Sequence, residues 1–314
     1  MNPNTLARLA QDGIYVGITA WTEPTLVAAG YYPEGAESAD DRLRHYASEF
    51  PITEVDATYY APPSERVAKL WAERTPPDFV FDVKAFRLLT EHPTPPKSLW
   101  KDMREALSPE LQRKKNVYPK DVGRDVMDDA LGRFLRALEP LRAAGKLGVV
   151  LFQFPEYVHP AKRSYEHLDW LARGLAEEAV VGAVEFRQRA WMDDEHTAST
   201  LTFLEERSLA YVSVDEPQGF RSSVPPIAAA TADIAVVRFH GRNAETWAKK
   251  GLTAAERFAY DYTDQPDALE EWVPRIETLH EDDRPVHALM NNCYGDYAVK
   301  SGRALAQLLD DSAS

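Results

Sequence analysis

The chain has 314 residues, of which 44% are hydrophobic and 27% charged, a composition typical of a soluble globular protein with a sizeable core. Its 36 basic and 50 acidic residues give a formal net charge of −14, which disfavours nucleic acid as a partner. The single cysteine, Cys293, excludes an intramolecular disulfide and a thiolate metal cluster. Neither a signal peptide nor a membrane-spanning segment is recognisable, so we expect a cytoplasmic protein with no membrane partner.

Short runs rich in Val, Ile, Phe and Tyr alternate along the chain with segments of helical spacing, which is the pattern of a parallel β/α sheet. The predicted strands are residues 15–21, 53–60, 79–86, 148–155, 182–188, 210–217, 235–242 and 285–292. Eight strands suit barrel closure. We therefore predict an α/β fold, with one TIM-type (β/α)8 barrel domain over residues 1–314 and short flexible ends.

Two predicted loops are much longer than the others: the β3α3 loop, from residue 92 to about residue 126, and the β7α7 loop, from residue 243 to about residue 266. In such barrels, the loops that leave the carboxyl ends of the strands build the binding site. The two loops are either surface insertions with solvated charges or covers that fold over the mouth of the barrel.

Polar residues recur at the same alternate position in strand after strand. Strand residues face the helix layer and the barrel interior in turn, and the helix layer must be apolar. Placing the apolar residues, Val212 and Val214 among them, against the helices leaves an inward polar set: Thr19, Glu54, Asp56, Thr58, Asp82, Lys84, Gln153, Glu185, Arg187, Ser213, Asp215, Arg238, His240, His287 and Asn291. Unpaired buried charges cost roughly several kcal/mol each. These residues therefore form either a self-satisfied network of salt bridges or a ligand pocket.

The residues at the strand ends indicate acid/base chemistry on an anion. Glu185, His240 and Asp56 are the candidate catalytic groups, because carboxyl groups and imidazole exchange protons near neutral pH. Lys84 and Arg187 offer positive charge to a carboxylate or a phosphate. The remaining candidate substrate-binding residues are Gln153, Thr58, Tyr60, Asp215, Asn291 and Trp21.

An ordered series of motifs resembles the YecE-like family, also called domain of unknown function 72. The series is GITAW, YYPEG, EVDATYYAPPS, WAERTPPDFVFDVKAFRLLTEH, GKLGVVLFQFP, AVEFRQRAW, VVRFHGRN and MNNCYGDYAVKSGRAL, and it covers nearly the whole chain. The resemblance implies a TIM-type barrel and carries no activity with it. It also implies pocket residues at Asp56, Thr58, Tyr60, Lys84, Gln153, Glu185, Arg187, His240 and Asn291.

Two positions depart from the family pattern. Asp56 stands where the family more commonly has an amide, which adds a negative charge to the pocket. Gln188 stands where a histidine usually follows the arginine. Because an amide does not titrate, position 188 is a poor candidate for an obligatory catalytic base.

Three functions fit this sequence. The first is a barrel enzyme, a hydrolase or a lyase, that acts on a small anionic or sugar-containing substrate without a cofactor. The second is a divalent-metal phosphodiesterase or nuclease, with Mg or Mn held by Asp56, Glu185 and Asp215. The third is a non-catalytic module that binds a metabolite. The glycine-rich phosphate-binding motifs and the GxSxG elbow are missing from the sequence, so nucleotide cofactors and serine-hydrolase chemistry have no support.

Overall fold

A closed barrel of eight parallel strands forms the centre of the computed structural model, which describes residues 5–312. The predicted flexible ends, residues 1–4 and 313–314, lie outside the described residues. Each strand pairs with its neighbours in sequence order, and β8 returns to β1. The TIM-type fold is therefore confirmed. The strands are β1 Ile14–Thr19, β2 Ile52–Val55, β3 Val80–Lys84, β4 Leu147–Phe154, β5 Val181–Phe186, β6 Ala210–Asp215, β7 Ala235–Phe239 and β8 Val286–Met290.

Helices surround the barrel. They are α1 Thr5–Gln11, α2 Pro24–Ala28, α3 Ala39–Ala47, α4 Glu65–Glu73, α5 Lys101–Ala106, α6 Pro109–Arg113, α7 Pro119–Val122, α8 Arg124–Ala137, α9 Glu139–Ala143, α10 Lys162–Glu177, α11 Thr197–Glu205, α12 Ala244–Trp247, α13 Ala254–Arg257, α14 Asp267–Glu270, α15 Val273–Leu279 and α16 Tyr297–Ser312. Within residues 5–312, none of these helices is long and apolar enough to cross a lipid bilayer.

Local sequence explains where several helices begin. Ser38 caps α3 by accepting a hydrogen bond from the backbone of Asp41, whose carboxylate bonds back to the Ser38 backbone. Ser64 caps α4 through the backbone of Val67. Longer helices such as α8, α10 and α16 turn an apolar face to the barrel, and the main core lies between the strands and these helices.

The connections at the carboxyl ends of the strands are unequal. The long segment after β3 contains α5, α6 and α7, and it is held by an antiparallel bridge between Thr94 and Val117. The segment after β7 contains α12 and α13. Residues 216–234, between β6 and β7, form an irregular connection in place of the usual helix. These segments surround the mouth of the barrel.

Candidate functional site

A buried arginine ties two acids together inside the barrel. Arg238 donates to both carboxylate oxygens of Glu54, from Nε at 2.8 Å and from Nη2 at 2.9 Å, and its Nη1 donates to Oε2 of Glu185. All three side chains are almost completely buried. This geometry satisfies the charges within the protein, which is what the network alternative predicted for the deeper residues.

His240 stands above this arginine with both ring nitrogens engaged. Thr19 donates its hydroxyl to the Asn291 carbonyl oxygen (2.8 Å), and the Asn291 amide donates to Nδ1 of His240 (2.8 Å). The ring proton therefore lies on Nε2, which donates to Oε1 of Glu185 (3.0 Å). Burial lowers the pKa of His240 to about 3, so the ring is neutral at physiological pH.

Glu185 is the acceptor at the centre of the site. Its Oε1 accepts hydrogen bonds from Gln153 (2.6 Å) and His240, and its Oε2 accepts one from Arg238. Burial by itself would raise the pKa of Glu185. The positive charge of Arg238 and the bond from His240 outweigh burial and hold that pKa well below its usual range. Glu185 is therefore a fixed carboxylate.

A bridge through Gln153 connects this buried carboxylate to the half-buried Lys84. The Lys84 ammonium donates to the Gln153 carbonyl oxygen (2.9 Å) and lies 5.2 Å from the centre of the Tyr59 ring. No carboxylate lies within 4 Å of the Lys84 Nζ among the described residues. Burial, with the nearby charge of Arg238, lowers the pKa of Lys84.

Arg187 lies beside the mouth between two acids. Its Nη1 is 3.3 Å from Oε1 of Glu185, and its Nη2 is 3.6 Å from Oε2 of Glu216. The guanidinium carbon also lies 4.5 Å from the centre of the Trp247 ring. Arg187 is thus largely committed to contacts within the protein.

The loop after β7 covers this side of the mouth. Trp247 is buried, and its indole nitrogen donates to the Ser222 hydroxyl (3.1 Å). Phe258 packs on the His240 ring at 5.5 Å between ring centres and on Trp247 at 5.7 Å. The loop was predicted to be either a surface insertion or a cover over the mouth. These contacts fit the cover.

Asp56 lies on the open side of the mouth. Strand β2 ends at Val55, and Asp56 precedes a short 3-10 turn, residues Ala57–Tyr59. Within residues 5–312, no hydrogen bond or ion pair joins its half-buried carboxylate to another side chain. Burial raises the pKa of Asp56, although the charge of Lys84 opposes that rise. Tyr60 lies on the rim with 59% of its surface exposed.

The inward orientation predicted for Asp215 is wrong. In the register of β6 and β7, Val214 aligns with Arg238, which faces the interior, and Asp215 aligns with Phe239, which faces the helices. Strand β6 therefore turns Val212 and Val214 inward, and Ser213 and Asp215 outward, the reverse of the prediction. The error arose because two valines were assigned to the apolar helix layer.

Asp215 is a structural acceptor in the helix layer. Its carboxylate accepts hydrogen bonds from the Trp272 indole (2.8 Å), the Tyr262 hydroxyl (2.5 Å) and the Arg242 guanidinium (2.7 Å). The next residue, Glu216, takes the place at the mouth where Asp215 was expected.

Two other predicted binding residues are also misplaced. Thr58 lies beyond the end of β2, and its hydroxyl donates to the backbone oxygens of Lys84 (2.6 Å) and Val55 (3.0 Å). Trp21 is buried between the barrel and the helix layer, where its ring packs edge-on against Trp71 of α4 and Phe81 of β3. A substrate at the mouth therefore meets neither of these side chains directly.

The three acids considered for Mg or Mn do not converge. Asp215 faces the helices, and Glu185 is occupied by Arg238, so only Asp56 offers a free carboxylate at the mouth. Across residues 5–312, no group of three or more His, Cys, Asp or Glu side chains is arranged to hold a metal ion.

Two residues of the mouth were missed by the sequence reasoning. Glu216 was overlooked because Asp215 and Glu216 are adjacent acids. The sequence alone does not say which of the two faces the barrel interior. Arg87 follows β3 in a 3-10 turn, residues Arg87–Thr90, and its guanidinium carbon lies 5.1 Å from the centre of the Tyr59 ring. Its position three residues after Lys84 was the available signal.

Comparisons with known proteins place the whole barrel in one family. A family model described as "Protein of unknown function DUF72" matches residues 15–314. The UPF0759 protein YunF of Bacillus subtilis (strain 168) is 31% identical over 301 residues, which cover 95% of each chain. A crystal structure of a DUF72 family protein from Enterococcus faecalis V583 matches with a TM-score of 0.75 and 23% identity over 95% of each chain. Another, from Thermotoga maritima MSB8, matches with a TM-score of 0.70 and 26% identity over 96% of this chain and 99% of the other.

Proposed function

This chain belongs to the DUF72 family, and we propose that it is an enzyme that acts on a small anionic, hydroxylated substrate at the barrel mouth, with Asp56 as the group that transfers the proton. The observation that carries the proposal is the carboxyl group of Asp56, which lies half-exposed at the mouth with no hydrogen-bonded or ion-paired side chain among the described residues. Glu185 is engaged by Arg238 and His240, and Glu216 is buried beside Arg187. The reaction class is acid/base chemistry of the kind that hydrolases and lyases use.

Asp56 has the properties that proton transfer requires. A general acid or base must reach the substrate, and the carboxylate of Asp56 is half-exposed at the end of a barrel strand. Burial raises its pKa towards the pH at which enzymes work. An amide at this position would neither accept nor release a proton.

Glu185 and His240 support the site from below. Both are fully buried, and every ring nitrogen of His240 already has a partner. Through Gln153, the Glu185 carboxylate fixes the position of the Lys84 ammonium. We assign Glu185 and His240 as positioning residues, whereas the sequence had suggested that they were catalytic.

The charge at the mouth sets the substrate class. Among residues 5–312, Lys84 has the Gln153 amide as its only hydrogen-bonded side-chain partner and no carboxylate within 4 Å, so a negative group of the substrate would give it a direct ion pair. A hydroxyl or an acidic C–H placed at Asp56 would then be the site of proton transfer.

Asp56→Asn separates catalysis from binding. We would incubate the wild type and the variant with a panel of sugar phosphates, sugar acids and hydroxy acids, following turnover by proton NMR and binding by the thermal unfolding midpoint. We expect at least one compound to stabilise both proteins while only the wild type converts it. The matched control is Asp125→Asn, an exposed carboxylate in the first turn of α8.

Two results would contradict the proposal. Full turnover by Asp56→Asn would remove Asp56 from the chemistry. Binding in both proteins without conversion of any bound compound would favour the non-catalytic module instead.

A further inference from the structure

Arg87 is a half-buried cation with no partner. Its guanidinium makes no side-chain hydrogen bond and has no carboxylate within 4 Å among the described residues, and its Nε is buried without an acceptor. Within residues 5–312, the guanidinium contacts the Tyr59 ring, whose centre is 5.1 Å away. A cation–π contact of this kind is worth only about 0.5–2 kcal/mol, whereas removing a charged group from water without a counter-charge costs several times more.

Lys84 approaches the same ring. Its Nζ lies 5.2 Å from the centre of Tyr59 and donates to the neutral amide of Gln153. Lys84 and Arg87 therefore contact one aromatic side chain, and neither has a carboxylate within 4 Å.

The pKa of His92 responds to the electrostatic potential of these cations. Its ring lies edge-on to Tyr59 at 5.1 Å, and its Nδ1 pairs with the Thr90 hydroxyl (2.9 Å). Burial lowers the pKa of His92 to about 3, and the positive charges of Lys84, Arg87 and Arg187 contribute to that shift. The three cations therefore act together on this part of the mouth.

Arg187 differs from Arg87 in having acidic partners within the protein. Two carboxyl groups lie against that guanidinium: the ionised Glu185 at 3.3 Å and the buried Glu216 at 3.6 Å. Arg87 has no such pair, although it lies at the same end of the barrel. The difference indicates that the counter-charge of Arg87 comes from outside the protein.

We propose that Arg87 and Lys84 form a subsite for a phosphate group of the substrate, on the Tyr59 side of the mouth. The inference rests on the proposed function and specifies its anionic substrate as a phosphate ester. Two cations without a directly paired carboxylate match the charge of a phosphate dianion, whereas a ligand carboxylate would pair with only one of them. The planar guanidinium also suits two phosphate oxygens at once.

The test compares three ligands of one skeleton, namely glycerol 3-phosphate, glycerate and glycerol, at constant ionic strength. Titration calorimetry gives the affinity of the wild type, Arg87→Gln and Arg113→Gln. Arg113 is an exposed arginine in α6 and serves as the matched control. We expect the phosphate ester to bind more tightly than glycerate, with glycerol weakest. Arg87→Gln should weaken binding of the ester about tenfold or more, and Arg113→Gln should leave it unchanged.

A second readout separates ligand binding from structure. If the counter-charge of Arg87 comes from a bound ligand, Arg87→Gln should keep or raise the thermal unfolding midpoint of the ligand-free protein, because the substitution removes an unpaired charge. A structural arginine would instead lower the midpoint when replaced.

Three results would overturn the subsite: equal binding of glycerate and the phosphate ester, no binding of the ester to the wild type, or undiminished binding to Arg87→Gln. Asp56→Asn should bind the ester at least as tightly as the wild type does, because it removes a negative charge near Lys84. Failure of the subsite therefore leaves the role of Asp56 open, and loss of the Asp56 role leaves the subsite standing.

Discussion

The two consecutive acids at the end of β6, Asp215 and Glu216, face opposite sides of the barrel wall and differ in how many hydrogen bonds they receive. On the helix side, Asp215 receives hydrogen bonds from Trp272, Tyr262 and Arg242. On the mouth side, Glu216 receives one, from the backbone of Val224 (2.7 Å) to its Oε1, while its buried Oε2 has no hydrogen-bond partner.

The number of hydrogen bonds that each acid receives distinguishes a polar group that stabilises the fold from one that is available at the mouth. A polar group that stabilises the fold is saturated with partners, as Asp215 is, because an unsatisfied buried group costs free energy. Polar groups at the mouth, such as Glu216, Asp56 and Arg87, keep unused hydrogen-bonding capacity. For the two acids Asp215 and Glu216, unused hydrogen-bonding capacity therefore distinguishes the mouth side from the helix side.

The largest expected effect is the loss of Asp215. Asp215→Ala leaves the Trp272 indole, the Tyr262 hydroxyl and the Arg242 guanidinium without their shared acceptor. Removing one partner of a buried charge pair typically costs about 3–5 kcal/mol. We expect a loss of this size in the free energy of unfolding, measured by urea titration.

Asp194→Ala is the control for this prediction, because Asp194 is exposed and its side chain has no partner among the described residues. Its expected cost is at most about 0.5 kcal/mol. If the two variants unfolded at the same urea concentration, the hydrogen bonds of Asp215 would not be what distinguishes the helix side from the mouth side.

Glu216 should give the protein a stability that depends on pH. Burial raises the pKa of Glu216 from 4.5 to about 8, with the charge of Arg187 opposing the rise. The folded state then binds more protons than the unfolded state between these values, so the free energy of unfolding falls as pH rises from 4.5 to about 8. Above that range, the loss levels off.

Glu216→Gln removes this dependence, because an amide does not titrate and can still accept from Val224. Relative to the wild type, the variant should gain stability as pH rises, by an amount on the order of a few kcal/mol across the window. Urea titrations at several pH values measure the gain, and the exposed Glu195→Gln provides the reference slope. Parallel pH profiles for Glu216→Gln and the wild type would show that Glu216 is ionised in the fold.

The sequence predicts the barrel well because strand composition and alternation are local properties. All eight predicted strands exist, and β4 differs from its predicted range, residues 148–155, by one residue at each end. The largest deviation is in β2, which ends at Val55, whereas the prediction reached residue 60. The polar run after Val55 continued the alternation, but its backbone forms a 3-10 turn.

The candidate site is less predictable, because it depends on which partner satisfies each polar group. The alternation brought Lys84, Gln153, Glu185, His240 and Asn291 together correctly. It could not show that His240 has both nitrogens engaged, since the two partners, Asn291 and Glu185, lie 51 and 55 positions away in the sequence. Nor could it orient β6, where valines on one parity and acids on both allow either face to point inward.

The smallest expected effect is at His240, where we predict no titration at all. The histidine side chain ordinarily changes charge near neutral pH, but burial lowers the pKa of His240 to about 3. In 15N NMR spectra recorded between about pH 5 and pH 8, its ring signals should stay fixed, with the proton on Nε2 and none on Nδ1. The signals are assigned by their disappearance in His240→Asn. A midpoint near neutrality would mean that water and protons reach the ring in solution, and it would return His240 to the proton-carrying role that the sequence alone had suggested, in competition with Asp56.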